Sequence, residues 1–152
     1  MVVTVENISE LKKLLNQKVA VTDYCEITQE RINTFAEATE DRQWIHVDAE
    51  RARVDSPYRA TVAHGFLTLS LFSAFLTGAV KLKGVKMGIN CGLNYVRFLA
   101  PISVGAQIRA HITLKALQET ADGVQVTWEL MIEIKNATRP AANGEWIVRY
   151  FL

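Results

Sequence analysis

Asp41 and His46, in the run Thr39-Glu40-Asp41-Arg42-Gln43-Trp44-Ile45-His46-Val47-Asp48, are the residues of this chain best suited to chemistry. A carboxylate and an imidazole so close in the chain can converge on one water and share the proton transfers to and from it. On a regular helix this spacing turns the two side chains about 140° apart, so a joint role requires an irregular segment, a loop. The neighbouring pattern supplies one. Ile32, Phe35 and Ala36 form a helical stripe, Thr28 with Glu30 and Arg31 suits a helix start, and Thr39-Glu40-Asp41 breaks the apolar period. Spacing alone leaves two readings open: a catalytic pair, or a solvated carboxylate beside a partly buried imidazole.

The elements that must position the pair are legible around it. From Ala60 to Val80 the chain carries no charged residue apart from His64 if protonated. Its uninterrupted part, Gly65 to Val80, falls short of the roughly 20 residues a bilayer core requires and includes Thr68, Ser70, Ser73 and Thr77. It is therefore expected to be a helix enclosed by the rest of the domain, its hydroxyls bonding back to helix carbonyls. His64 is read as ordering the turn into that helix. Beyond it the period changes to two. Ile108, Ala110, Ile112 and Leu114 alternate with polar residues, Asp122-Gly123 makes a turn, and Val124, Val126, Trp128, Leu130, Ile132 and Ile134 alternate again, which predicts a hairpin. Met87 to Phe98 is expected as a further strand, and a loop with Arg139-Pro140 and a turn at Asn143-Gly144 as the lead into a last strand, Trp146 to Phe151. With an early strand from Lys18 to Cys25, the predicted order is short helix, strand, helix, loop, buried helix, four strands. Successive antiparallel strands after one apolar helix imply an α+β domain whose curved sheet wraps that helix. An unpaired edge strand suggests a dimer with a continuous sheet. Trp128 and Trp146 are read as core or dimer contacts, and His111 as a solvated residue on a polar strand face.

Composition narrows the function classes. The chain has 152 residues, 49% of them hydrophobic, enough for one domain with one core, taken to span 1–152. Seventeen basic and sixteen acidic residues give a net charge of +1, without the electrostatic footprint of a nucleic-acid or acidic-membrane binder. The start Met-Val-Val-Thr-Val-Glu-Asn does not resemble a signal peptide, and Cys25 and Cys91 match no Cys or Cys/His metal motif. A reducing cytoplasm is the expectation, with both thiols as small core residues.

The run Phe35 to Asp48, followed by Ala63-His64-Gly65-Phe66-Leu67-Thr68-Leu69-Ser70-Leu71-Phe72-Ser73 and later by Gly92-Leu93-Asn94-Tyr95-Val96-Arg97-Phe98-Leu99-Ala100-Pro101-Ile102-Ser103-Val104-Gly105, resembles MaoC-like dehydratases. The first two stretches look like the hydratase-2 signature of the (R)-specific enoyl-CoA hydratases, and the nearest branch resembles the nodulation-protein-N-like, single-hot-dog proteins. The resemblance implies a hot-dog fold and the addition of water to trans-2-enoyl thioesters. It places Asp41 and His46 on the catalytic pair, Gly65 on the residue whose amide polarises the thioester carbonyl, and Ser73 on a serine of the substrate site. It implies no metal and no redox cofactor, with coenzyme A or acyl carrier protein as the acyl carrier; the homodimer is the reading of the edge strand. Many members carry Gly-Asp-x-Asn-Pro where this chain has Glu40-Asp41-Arg42-Gln43-Trp44, so a second carboxylate and a bulkier ring enter the loop. Lys81, Lys83, Lys86 and Arg97 read as a solvated rim or as partners of coenzyme A phosphates. The fold leaves other outcomes open: an acyl-CoA thioesterase, a non-catalytic acyl-thioester binder, or one subunit of a dehydratase heterodimer.

Overall fold

The computed structural model describes residues 2–152. Its central feature is a six-stranded antiparallel sheet in the order β2 (Lys18–Val21)-β6-β7-β8-β5, with β3 (Cys25–Glu26) also paired to β6. The hairpin of β6 (Gln107–Thr120) and β7 (Gly123–Ile134) forms the middle, with β8 (Ala142–Phe151) and then β5 (Met87–Phe98) on one side. Alternation fixes the register, so Ile108, Ala110, Ile112 and Leu114 of β6 and Val124, Val126, Trp128, Leu130 and Ile132 of β7 are all buried on one face. Register breaks in β5 and at Leu114/Ala116 bend the sheet. The turn at Asp122-Gly123 is as expected, and Gly123 has to be glycine: a Cβ there would lie 1.9 Å from the Tyr150 carbonyl oxygen.

Helix α5, Gly65–Ala79, packs on the inner face of this sheet. Leu67, Phe72, Phe75, Leu76 and Ala79 are buried, and Ser70 and Thr77 donate to the Phe66 and Ser73 carbonyls at 2.7 and 2.9 Å. The expected enclosure holds on one side only. Phe66, Ser70, Ser73 and Thr77, on successive turns, form an exposed stripe, with Phe66 67% exposed, because one sheet can cover only one side of a helix. β5, the far edge, is largely exposed on both faces and carries Met87, Ile89, Leu93 and Phe98 outward.

Other expectations are revised. The early strand is two, β2 and β3; it is preceded by the expected short helix, α1 (Ile8–Lys13), and by β1 (Val3–Val5), which pairs in parallel with β4 (Val80–Leu82). Asn143-Gly144 is no turn. Both lie within β8, where Gly144 lets α5 approach: a Cβ would meet Phe72 at 3.2 Å and the Tyr95 carbonyl at 3.1 Å. The chain reverses earlier, with Asn136 left-handed at φ 65°. Trp128 is fully buried and donates to the Tyr150 hydroxyl at 3.0 Å, whereas Trp146 is half-buried and reaches Asn90 on the edge strand. Neither thiol is a core residue: Cys25 is half-buried and Cys91 exposed. His111 is not solvated either. It meets Glu133 at 2.5 Å, beside Arg109 at 2.9 Å and the Tyr24 hydroxyl, in a polar cluster on the sheet's outer face. Among the described residues no helix is long and apolar enough to cross a membrane.

Candidate active site

Helix α2 (Gln29–Thr39) starts where expected, with the Thr28 hydroxyl accepting from the Arg31 amide at 3.2 Å. It ends at Glu40, which takes a left-handed conformation with φ 62°. This is the position at which the family pattern has glycine, and the reason is physical: only a residue without Cβ adopts that geometry freely. The left-handed cap turns the chain out of the helix and directs Asp41 sideways. Arg42 then braces the segment through two 2.8 Å contacts to Glu37 of α2.

His46 lies on α3 (Trp44–Val47), one helical turn that the predicted loop did not include, followed directly by α4 (Ala49–Asp55). Asp48 caps α4 through the Arg51 amide at 3.0 Å. Trp44 replaces the proline of the family pattern at the first helical position, and the Arg51 guanidinium covers its ring at 4.4 Å. Gln43 makes no side-chain cap hydrogen bond. The segment Thr61–Ala63 clamps α3 to the sheet. Val62 donates to the Ile45 carbonyl at 3.0 Å, and Ala63 donates to Ile102 at 2.8 Å.

These elements bring Asp41 and His46 together. One carboxylate oxygen of Asp41 and one ring nitrogen each of His46 and His64 lie within 4.8 Å of one another. His46 is buried, and its Nδ1 donates to the Val62 carbonyl at 2.6 Å, which leaves Nε2 unprotonated as an acceptor. Burial is the main influence on its pKa and pushes it below the ordinary imidazole value, against the Val62 carbonyl and the Asp41 carboxylate, which push it up. Asp41 is exposed. The pair is thus a hydrated carboxylate next to a desolvated, neutral imidazole, able to hold one water between a base and a proton donor.

Gly65 is the first residue of α5, and the N-cap His64 makes no side-chain cap hydrogen bond. The first amides of the helix are therefore free to meet a negatively charged oxygen, at the end where the helix dipole favours one. Gly65 carries the Phe98 ring against it, 3.2 Å from where a Cβ would stand. Tyr58, Thr68, Phe98 and Pro101 line a cavity of about 320 Å³ beside it. Ser73 is not brought to this point within one chain. It lies eight residues along α5, about 12 Å by helical rise, on a different cleft of about 640 Å³ lined also by Asn90, Trp146 and Tyr150.

Three residues of the site did not stand out as functional in the sequence. Gln29 donates to the His46 carbonyl at 2.8 Å and accepts from buried Thr61 at 2.5 Å, so the start of α2 fixes the backbone of α3. His64 is buried, stacks on His46 with ring centroids 3.8 Å apart, and bonds the Asp41 carbonyl. The Ala-His-Gly triplet was the one signal for it. Asp41, His46 and His64 are also a carboxylate and two imidazoles that could ligate a metal. The rings are within 23° of parallel, and each already has one nitrogen on a carbonyl. One nitrogen of each ring therefore remains for a ligand.

Residues 10–133 match the model of the MaoC-like domain. The chain belongs to the MaoC-like dehydratase family, and with it to the hydro-lyases. It is 44% identical over 148 residues to 3-hydroxyacyl-thioester dehydratase Z of Mycobacterium tuberculosis, covering 97% of each chain. It is 39% identical over 143 residues to nodulation protein N of Rhizobium leguminosarum, covering 93% of this chain and 89% of that one. Among solved structures, the (R)-hydratase of A. caviae involved in PHA biosynthesis matches with a TM-score of 0.70 and 26% identity, over 88% of this chain and 94% of that chain. The hot-dog fold expected from the sequence is the fold of these hydratases, with α5 as its central helix.

Proposed function

We propose that this chain is an (R)-specific enoyl-CoA hydratase, adding water reversibly across the double bond of a trans-2-enoyl thioester to give an (R)-3-hydroxyacyl thioester. The observation that carries the reading is the convergence of an Asp41 carboxylate oxygen and a ring nitrogen of His46 within 4.8 Å, at the end of a helix whose first amides are open. Hydration needs a base for the water, a proton for the α carbon and stabilisation of the enolate-like oxygen. Asp41 and His46 bracket the water and share the two transfers as a coupled pair. The Gly65 amide receives the thioester oxygen, where no side chain holds the acyl group off the backbone. Ser73, on the separate cleft farther along α5, is assigned to the substrate site by the family resemblance alone. The chemistry requires neither metal nor redox cofactor.

A second copy of the chain is the natural cover for that stripe and for the β5 edge, whose exposed apolar residues and unpaired backbone groups favour pairing. We therefore read the enzyme as a homodimer working in the cytoplasm on coenzyme A thioesters, with acyl carrier protein as the alternative carrier. The test follows the enoyl absorbance of crotonyl-CoA and a longer trans-2-enoyl-CoA, with product chirality and free thiol measured in parallel and native mass giving the assembly. Turnover to the (R)-3-hydroxy product, lost in Asp41→Asn and His46→Ala, is the expected result. Thiol release would assign a thioesterase instead, and binding without turnover would remove the catalytic reading.

A further inference from the structure

We propose that His64 is a positioning residue that sets the mutual geometry of Asp41, His46 and the Gly65 amide; the inference rests on the reading of those three given above. Its ring is 2% exposed and has three neighbours, each with a distinct consequence.

His64 Nε2 lies 2.9 Å from the backbone carbonyl oxygen of Asp41. A carbonyl can only accept, so the proton sits on Nε2 and the tautomer is fixed. Among the described residues this is the one hydrogen bond that ties Asp41 itself to another element; the adjacent Arg42 is held only by the exposed pair with Glu37. The carboxylate loop is thereby anchored to the cap of α5, twenty-three residues away. The face of the His64 ring stacks on His46 at 3.8 Å and 23°, and Phe35 of α2 tilts against it at 5.0 Å. This packing keeps water from one face of His46, and burial is the largest influence holding the His46 pKa down. Finally, His64 is the residue before Gly65, so the same backbone that grips Asp41 presents the amide. Its Nδ1 is buried and makes no hydrogen bond. Leaving a polar atom unsatisfied costs stability, and such a cost is retained where the ring is needed for something a hydrocarbon would not supply.

Two substitutions separate the roles. His64→Phe keeps an aromatic face on His46 and removes the donor to Asp41. His64→Gln keeps a donor at the Nε2 position and removes the stacked ring. In His64→Phe, kcat is expected to fall ten- to a hundredfold with KM within about twofold, because a displaced base lowers the rate more than the binding. In His64→Gln the loss in kcat is smaller, but the acid limb of the pH profile moves upward as water reaches His46. It moves less in His64→Phe. The titratable groups acting on His46 are Asp41 and His64, so after either substitution burial, the Val62 carbonyl and the Asp41 carboxylate remain to set its pKa. Nitrogen NMR of the wild-type imidazoles reads the tautomer directly, and a proton on Nδ1 of His64 overturns the proposal whether or not a variant folds. So does a wild-type kcat in His64→Phe, or equal losses in both variants with an unmoved His46 titration by NMR. Failure of the functional reading looks different: wild-type protein without enoyl turnover, or Asp41→Asn and His46→Ala that retain it. The NMR tautomer and titration still decide the role of His64 in that case.

Discussion

Replacing Gly65 with alanine perturbs the end of α5 by a calculable amount. The added Cβ would stand 3.2 Å from three atoms of the Phe98 ring, a few tenths of an ångström inside the roughly 3.5–4.0 Å optimum for carbon contacts. Gly65 has no left-handed φ, so the methyl brings no backbone strain, and alanine is the better helix former by about 1 kcal/mol. That gain offsets the crowded contact, and the melting free energy should stay within about 1 kcal/mol of wild type. The crowding is relieved partly by Phe98, which is 47% exposed and can rotate, and partly by a small displacement of the helix end. A shift of that size at an amide aimed at a developing oxyanion should lower kcat/KM by about tenfold, equivalent to about 1.4 kcal/mol in the transition state. Because the methyl points at Phe98, removing the ring should make room for it. The Gly65→Ala/Phe98→Ala double variant should therefore regain most of the activity of Phe98→Ala alone. The assay is the enoyl-CoA absorbance decay on the four proteins, with melts in parallel. Wild-type turnover in Gly65→Ala would remove the amide from the mechanism. An undiminished loss in the double variant would show that the methyl obstructs substrate, and that the Phe98 contact is irrelevant.

Three further outcomes follow from particular contacts. His46 is held below the ordinary imidazole pKa of about 6.5 by burial, so it stays an unprotonated base as the pH falls past that value; the kcat/KM profile for hydration should have its acid limb below 6.5, and a limb above it would contradict the desolvated geometry. Glu40→Gly should stabilise the protein by about 1 kcal/mol, read by urea unfolding, since a left-handed residue with a Cβ carries a penalty that glycine lacks. Glu133 accepts from Tyr24, His111 and Arg109, which hold its carboxylate down from 4.5 to about 2. A depressed carboxylate contributes its stability above the unfolded pKa and loses it as the pH falls towards the folded one, so stability should decline between about pH 4.5 and 2, by at most roughly 3 kcal/mol. The Glu133→Gln variant should show a flatter acid branch.

What the sequence disclosed of the fold follows where one physical cause dominates. The β6–β7 hairpin was legible because burial on one face imposes a period of two and Asp122-Gly123 admits a tight turn. The α2 start was legible because a hydroxyl at Thr28 has one obvious use. Gly144 misled because Asn-Gly is a turn signal only when the chain turns there, and here the missing Cβ serves the approach of Phe72. The exposed stripe of α5 was invisible for a related reason. Phe66 is as apolar as Phe72, and hydrophobicity does not distinguish a residue buried under its own sheet from one left bare at the surface of the protomer.

The site divides along the same line. Asp41 and His46 share one local segment, so their types and spacing made them candidates while the family resemblance chose between the two readings, and the left-handed Glu40 accounts for how a helix can end just before the carboxylate. His64 belongs to another segment, and its link to the pair depends on three tertiary facts: Val62 closing on His46, the Asp41 carbonyl facing the cap of α5, and Phe35 filling the space behind the ring. None of these has a sequence period. A histidine before a glycine at a helix start therefore looks like an ordinary cap, although its side chain makes no cap hydrogen bond. The cap position is left open and the ring is turned inward. The first amides of α5 thus stay available while the same residue grips the loop carrying Asp41, and under the proposed function this couples the placement of the oxyanion donors to that of the proton-transfer pair.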